Sequence, residues 1–98
     1  MVIKAALEEL ENSKHPIAKI MHTNGDCKTL VIVFKKGMML KEHKTNTPAT
    51  LVVVEGEVEY RTDKESVTLK KYNQTGITVG LLHEVEAKAD SICLLIKG

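Results

Sequence analysis

Two histidines, His43 and His83, are the residues of this chain best suited to do chemistry. An imidazole titrates near neutral pH and also binds Zn, Fe, Ni and Cu, so it serves either proton transfer or metal binding. His83 begins an alternating run in which Glu84 and Glu86 fall on the opposite face. Because glutamates belong on the solvent side of a strand, this alternation predicts that His83 points inward.

The strand that carries His43 is less decisive. By the same alternation His43 shares a face with Met39, Lys41 and Thr45, and a β-bulge in this strand would change that grouping. Lys41 has two interpretations. At the mouth of a pocket it favours an anionic ligand, whereas pointing into solvent it contributes nothing to a site. If His43 and His83 both point inward from distant strands, they meet inside one barrel.

Each histidine also fits a plainer interpretation, that of a hydrogen-bonded core residue. Two histidines are fewer than the three protein ligands that a catalytic metal usually has. The other two, His15 and His22, lie beside a proline and a turn, which is typical of solvated side chains. No serine–histidine–acid order and no phosphate-binding glycine loop stands out in the sequence.

Composition and charge exclude several classes of function. Ninety-eight residues make one domain, with 43% hydrophobic and 28% charged residues. The 14 basic and 13 acidic residues give a net charge of +1, Arg61 is the single Arg, and the aromatic residues are one Phe and two Tyr. A nucleic-acid surface needs a basic stripe, Arg side chains and stacking platforms. We therefore expect no nucleic-acid partner.

The length of the apolar runs and the spacing of the cysteines indicate the cellular compartment of the protein. No apolar run approaches the ~18–20 residues of a membrane span, and the first ten residues lack the pattern of a signal peptide. We therefore expect no membrane association and a cytoplasmic protein. Cys27 and Cys93 form no short-spaced motif, and each lies in or beside an apolar, strand-like run. This setting favours buried free thiols over a catalytic thiol.

One short helix is the first element that must support these residues. Ile3, Ala6, Leu7 and Leu10 recur at helical spacing within residues 2–12 and form one apolar face. A helix this short is marginal alone, so its apolar face must pack on something. Two partners remain open for that face: the sheet or barrel of the same chain, or a second copy in a dimer.

Everything after Pro16 predicts strands. Asn24-Gly25 is a strong hairpin signal, and the continuous apolar run of residues 30–34 predicts a strand that is covered on both faces. About nine short strands with turns roughly every 8 to 12 residues are typical of a sandwich or barrel. The predicted strands are residues 17–22, 28–35, 37–45, 49–54, 57–60, 66–69, 77–82, 83–87 and 91–97.

One stretch resembles the first motif of the cupin superfamily. That motif is a glycine, five residues, His-x-His, three or four residues, Glu, six residues and Gly. Here Gly37 and His43 match, and Gly56 stands where the closing glycine belongs. Thr45 occupies the position of the second histidine, and Ala49 occupies that of the glutamate. The frame of the motif is kept while two of its ligand positions are changed.

The second cupin motif is also present in part. It runs from a glycine through Pro-x-Gly and two residues to His, and Gly80 and His83 match its end. Thr78 replaces the proline and Tyr72 replaces the leading glycine. The resemblance covers roughly residues 17–97. It implies an all-β, cupin-type double-stranded β-helix or jelly-roll barrel with a short N-terminal helix: a helical segment at 1–15 and a single barrel domain at 16–98.

The resemblance also implies a function. Cupins that hold a metal typically use both histidines and the glutamate of the first motif and the histidine of the second. With only His43 and His83 kept, it implies a depleted metal site and a pocket for a small polar or anionic molecule, formed by His43, Thr45, His83, Met39 and Lys41.

Two alternatives remain at the sequence level. One is a metal-dependent cupin enzyme of dioxygenase, isomerase or decarboxylase type, with a divalent metal (Zn, Fe, Ni or Mn) held weakly by His43 and His83. The other is metal-free acid–base chemistry at one of these two histidines. In every case the resemblance implies a homodimer.

Overall fold

The computed structural model describes the backbone of residues 1–43 and 46–98, and the side chains of residues 1–41 and 46–98. This part contains one helix and nine strands, as the sequence predicts. They are α1 (Val2–Leu10), β1 (Ile17–Asn24), β2 (Cys27–Phe34), β3 (Met39–His43), β4 (Ala49–Glu55), β5 (Glu57–Thr62), β6 (Ser66–Lys70), β7 (Gln74–Ile77), β8 (His83–Ala87) and β9 (Ser91–Lys97). No helix of the described part is long and apolar enough to cross a membrane.

The strands form two antiparallel sheets. Sheet A has the order β1-β2-β9-β4-β7, and sheet B has the order β3-β8-β5-β6. Neighbours such as β2 and β9 are far apart in sequence, which is the connectivity of a jelly roll. Inward side chains of both sheets form the main core, with Leu51, Val53, Cys93 and Leu95 from sheet A and Val58, Tyr60, Val85 and Ala87 from sheet B. The predicted all-β jelly roll is confirmed.

Strand β2 is covered on both faces, as its continuous apolar run predicts. Ile32 and Phe34 belong to the core between the sheets. Val31 and Val33 point the other way and pack in a second cluster with the apolar face of α1, including Ala6. Burying a side chain of this size stabilises the fold by about 1.5–3 kcal/mol. The helix therefore lies on sheet A, which favours the first of its two predicted partners.

Gly56 stands at a close approach between the β4–β5 connection and the turn before β9. Its φ is +88°, and an added Cβ would lie 2.3 Å from the backbone oxygen of Asp90 and 2.4 Å from Oγ of Ser91. Ser91 is buried, accepts a hydrogen bond from the backbone N–H of Glu57 at 3.1 Å and donates one to the oxygen of Ala89 at 2.7 Å. A side chain at position 56 would break this arrangement.

Two details of the predicted fold are wrong. Residues 78–82 are a loop, and the strand β7 lies earlier, at Gln74–Ile77, where it pairs with β4. Tyr72 adopts a positive φ of 73° and Gly80 a φ of +78°, so the chain turns before position 74 and again after position 77. The sequence also predicts a turn at residues 72–76, which overlaps the first of these turns, but the apolar content of residues 77–82 did not reveal the second.

The two cysteines differ, although the sequence favours burial for both. Cys27 is exposed at the start of β2, beside the hairpin turn, and Cys93 is buried in the main core. Neither forms a disulfide. Burial raises the pKa of the Cys93 thiol to about 12. The prediction for Cys27 is wrong because the hairpin end of β1 and β2 extends past the core.

Candidate functional site

Strand β8 presents His83 to the interior. The strand alternates between buried and half-buried positions, and His83 shares the buried face with Val85 and Ala87. Only 1% of His83 is exposed, whereas Glu84 and Glu86 lie on the opposite face with about a quarter of each side chain exposed. The predicted inward direction of His83 is confirmed.

One hydrogen bond fixes which nitrogen of His83 carries a proton. Nδ1 lies 3.2 Å from the backbone oxygen of Leu81. A carbonyl oxygen only accepts, so Nδ1 must be the donor of this bond. In the neutral ring the lone pair then belongs to Nε2, which is the arrangement that both a general base and a metal-binding histidine require.

Tyr60 on β5 packs against this imidazole. The two ring centroids are 5.6 Å apart and the rings are tilted by 35°. Only 3% of Tyr60 is exposed, and its hydroxyl makes no hydrogen bond to any residue that the structure describes. Burial and, to a smaller degree, the charge of Glu65 raise the pKa of Tyr60. The phenol is therefore protonated at neutral pH and is a hydrogen-bond donor.

Sequence reasoning missed Tyr60 as a site residue. Its alternation with Glu59 predicts the correct inward face, which it shares with Val58. The signal that was available is a hydroxyl on a core-facing position. What the sequence did not contain is the pairing of β5 with β8, which brings Tyr60 beside His83.

The register of β3 sets His43 opposite His83. A register shift falls between Leu40 and His43, which is the bulge that sequence reasoning left open. Directly opposite residues of an antiparallel pair share a face, so Met39 falls on the outer side with Glu86, and the predicted grouping of Met39 with His43 does not hold across the bulge. The register pairs are Met39 with Glu86, Leu40 with Val85, and His43 with His83.

The remaining predicted pocket residues are less informative. Lys41 is exposed. Thr45 lies outside the described residues, and so does the side chain of His43. Their part in a pocket stays a prediction. Thr62 is a position that the prediction omitted: it is half-buried and is the register partner of His83 on β5.

The donors present do not fit a complete metal centre. Ala49, at the position of the glutamate ligand, is buried and ends in a methyl group, so it offers no donor. Among the side chains that the structure describes, no three His, Cys, Asp or Glu residues are grouped so as to hold a metal ion. The kept motif positions supply at most two imidazoles and the hydroxyl of Thr45, which is fewer strong ligands than such centres usually have.

The outer face of β5 and β8 carries a charge network that sequence reasoning also missed. Nε of Arg61 lies 2.9 Å from Glu84, its Nη2 lies 2.9 Å from Glu86, and its Nη1 pairs with Glu59. Nζ of Lys88 lies 3.3 Å from Glu86 and 3.6 Å from Glu59. Three carboxylates thus surround two cations on one face of sheet B.

These contacts lower the pKa values of Glu59 and Glu86. A hydrogen bond from Ser66 is the largest cause that lowers the pKa of Glu59, and a hydrogen bond from Arg61 is the largest that lowers the pKa of Glu86. In return, Glu84, followed by Glu86, raises the pKa of Arg61. Each of the three guanidinium nitrogens of Arg61 is bonded within the cluster, so its main role is structural.

Two surface cavities lie elsewhere. One of about 360 Å³ is lined by Arg61, Thr62, Asp63, Glu84 and the loop residues 80–82. The other, of about 330 Å³, lies between the end of α1 and residues 90–92. Neither His83 nor Tyr60 lines these cavities, but Thr62, the register partner of His83, lines the first of them.

Comparisons with known proteins match the architecture. No family model and no curated protein matches the sequence. An RmlC-like cupin protein from Desulfovibrio desulfuricans is similar at 23% identity over 87% of this chain and 83% of its own, with a TM-score of 0.80. A cupin superfamily protein from Desulfitobacterium hafniense has 13% identity over 88% and 79%, with a TM-score of 0.81. KdgF from a Halomonas species has 19% identity over 88% and 82%, with a TM-score of 0.76.

These identities are low, so the likeness concerns the fold. The two antiparallel sheets of this chain agree with it. The resemblance read from Gly37, His43, Gly56 and His83 is thereby confirmed for the architecture, and the chain has the cupin fold.

Proposed function

We propose that this cupin-fold protein binds a small polar or anionic molecule inside the barrel, next to His83. The observation that carries the proposal is the register of β3 and β8, which makes His43 the direct partner of His83. Opposite residues of an antiparallel pair share a face, with Cβ atoms about 4.5–5.5 Å apart. The position of His43 is therefore next to that of His83, whose buried imidazole lies on the described part of the inner face as a contact for a ligand to be tested.

The chemistry of two imidazoles suits such a ligand. A neutral imidazole offers one donor and one acceptor, and a protonated one offers two donors and a positive charge. A polar molecule is bound by the first form and an anion by the second. The core residues around His83 are apolar, and small-molecule sites commonly combine apolar surroundings with a few polar groups that fix orientation.

The proposal is tested by titration with defined probes. The probes are inorganic phosphate, succinate, malate and glycerol, followed by NMR of the backbone amides and the histidine rings. We expect at least one probe to shift the signals of His83 and of its neighbours on β8, and His83→Ala and His43→Ala to abolish the shifts. The matched control is His22→Ala, because His22 is exposed on β1. Shifts that persist in both site variants, or no shift at His83 with any probe, contradict the proposal.

One observation favours a metal-dependent enzyme as the second candidate. The Nδ1–H of His83 is held by a backbone carbonyl, as in most metal-binding histidines. In this alternative His43 and His83 would hold a divalent ion (Zn, Fe, Ni or Mn), which would supply Lewis-acid chemistry. Elemental analysis decides: a metal present near one per chain in the wild type and absent from the double His→Ala variant supports it. Equal metal content in the two proteins contradicts it.

We also propose a cytoplasmic homodimer, on the strength of the resemblance. The sheet A edge strand β1 supports a dimer because Ile20 and Met21 are 52% and 39% exposed there. Light scattering coupled to size exclusion tests the assembly. A mass of twice the chain is expected, and a monomer across a hundredfold range of concentration contradicts it.

A further inference from the structure

The cavity between the end of α1 and residues 90–92 has no part in the barrel site, because neither His83 nor Tyr60 lines it. We propose that this cavity binds a small organic cation, an ammonium ion with an apolar body. The body packs on the apolar floor of the cavity, and the charge faces its acidic rim. This inference goes beyond the proposed function, since it concerns a second place in the fold and a ligand of different charge.

The first support is the apolar floor. Val33 and Ile92 are register partners on the outer side of sheet A, where α1 packs on β1 and β2. Val33 is fully buried, whereas Ile92 on β9 is only half-buried. Leu7 is 38% exposed and lines the cavity together with Leu10, Phe34 and Ile92. A volume of about 330 Å³ is at the lower end of the range for small-molecule sites, so the cavity suits a small ligand.

The second support is the charge around this floor. The charged residues that line the cavity are the three acids Glu11, Glu55 and Asp90 and the single base Lys35. Their formal charges leave an excess of negative charge at the rim. The C-terminal end of α1 lies at the same place, and the C-terminus of a helix carries a partial negative charge. A cation is therefore attracted to the cavity, and an anion of the same size is repelled.

The third support is that the rim is incompletely neutralised by its own cations. Nζ of Lys35 donates a hydrogen bond to the backbone oxygen of Glu11 at 2.9 Å, so it caps the helix end. The Glu11 carboxylate has no ion pair among the residues that the structure describes. Glu55 lies 3.5 Å from Nζ of Lys71, and both side chains remain about half-exposed. Asp90 accepts one backbone hydrogen bond with Oδ1, at 2.8 Å, and its other oxygen accepts none from the described residues. These carboxylate oxygens can accept hydrogen bonds from an ammonium group.

The test uses three probes with the same apolar body and different charge: benzylammonium, benzyl alcohol and benzoate at pH 7, followed by NMR of the backbone amides. We expect benzylammonium to shift the signals of residues 7–11, 34–35 and 90–92. Benzyl alcohol should bind there about threefold more weakly, which is the size of effect typical of partly exposed charges. Benzoate should not bind there. High salt should reduce the difference between benzylammonium and benzyl alcohol.

Variants separate the floor from the rim. Glu11→Gln and Glu55→Gln should each weaken benzylammonium about threefold and leave benzyl alcohol unchanged, because each removes one charge and keeps the shape. Leu7→Ala should weaken both probes, because it removes part of the floor. All three residues are exposed, so the variants should keep the fold. The matched control is Asp26→Asn, which removes an exposed carboxylate at the opposite end of β2 and should change neither affinity.

Several outcomes would overturn the inference. One is benzoate that binds in the cavity as tightly as benzylammonium. Another is benzylammonium binding that is unchanged in the double variant of Glu11→Gln and Glu55→Gln. A third is a set of shifts spread over the acidic surface, including Asp26, without saturation at the cavity residues. None of these results affects the barrel site, which is tested at His83 with different probes.

Discussion

Successive residues of strands β5 and β8 point to opposite faces of sheet B. The two faces differ in how their polar groups are bonded. On the outer face the Arg61 guanidinium is bonded to three carboxylates, and Lys88 contacts two of the same three. On the inner face Tyr60 is buried with no hydrogen bond to its hydroxyl among the described residues. The outer face has more polar groups, and those of the cluster around Arg61 each take part in an ion pair. On the inner face the Tyr60 hydroxyl has no described hydrogen bond through which it would stabilise the fold.

Magnitudes support this distinction. Ion pairs that remain partly exposed contribute little each, and their charges keep access to water. A buried hydroxyl without a partner costs about 1–3 kcal/mol relative to a satisfied one. The following predictions test that difference between the faces.

The largest effect is expected on the inner face. His83→Ala should abolish malate binding and also lower stability by about 2–4 kcal/mol, since it removes a fully buried ring and leaves a cavity. Denaturant unfolding and the NMR titration measure the two effects. The control His22→Ala, on the exposed part of β1, should change neither. If His83→Ala binds malate with wild-type affinity, the ligand does not bind at His83 and the proposed site on the inner face is contradicted.

Arg61→Met should lower the stability of the fold and leave ligand binding on the inner face nearly unchanged. It removes the cation shared by Glu59, Glu84 and Glu86, so Tm should fall at neutral pH, and by more than in Lys88→Met. Malate affinity should stay within about twofold of the wild type, because Arg61 points to the face of β5 opposite to the buried Tyr60. If Arg61→Met retains its stability and loses malate binding, the ligand site belongs to the outer face.

The pH dependence of stability should come mainly from the outer face. The pKa values of Glu59 and Glu86 are lower in the folded protein than the ordinary value of 4.5. Their contribution is therefore complete above about pH 4.5 and is lost as the pH falls through the lowered folded values. Glu86→Gln should make the curve of Tm against pH shallower below pH 4.5. An unchanged slope would show that the network does not control acid stability.

The smallest effect is expected for the reactivity of the two thiols, which reports whether water reaches the core away from the candidate site. Cys93 is fully buried with a pKa of about 12, and Cys27 is exposed. An aromatic disulfide reagent should label one thiol per chain in the native protein and two after unfolding. Labelling that is lost in Cys27→Ser identifies the reactive residue. Rapid native labelling of Cys93 would show that solvent reaches the core.

The sequence predicted the inner face better than it predicted how the face is assembled. Alternation was enough to place His83 inward, because Glu84 and Glu86 leave one consistent choice. It failed for Met39, because the bulge between Leu40 and His43 depends on pairing with β8. The Arg61 network had no local signal either: Arg61 and Glu84 are 23 positions apart and meet only through the β5–β8 register.

The motif frame and its contents carried different information. The spacing from Gly37 to Gly56 predicted the architecture, and the close approach at Gly56 gives a physical reason why that frame is needed. Ala49 and Thr45 stand at two positions where the resemblance implies metal ligands, so they bear on the site and not on the fold. The contact of Tyr60 with His83 depends on the pairing of β5 with β8, which the sequence does not show.

The most direct test of the account is a crystal structure of the protein grown with malate. We expect electron density for malate on the inner face of sheet B, in contact with the His83 ring on β8. Malate bound only in the outer cavity near Arg61 and residues 80–82, or density for core side chains alone around His83, would contradict it.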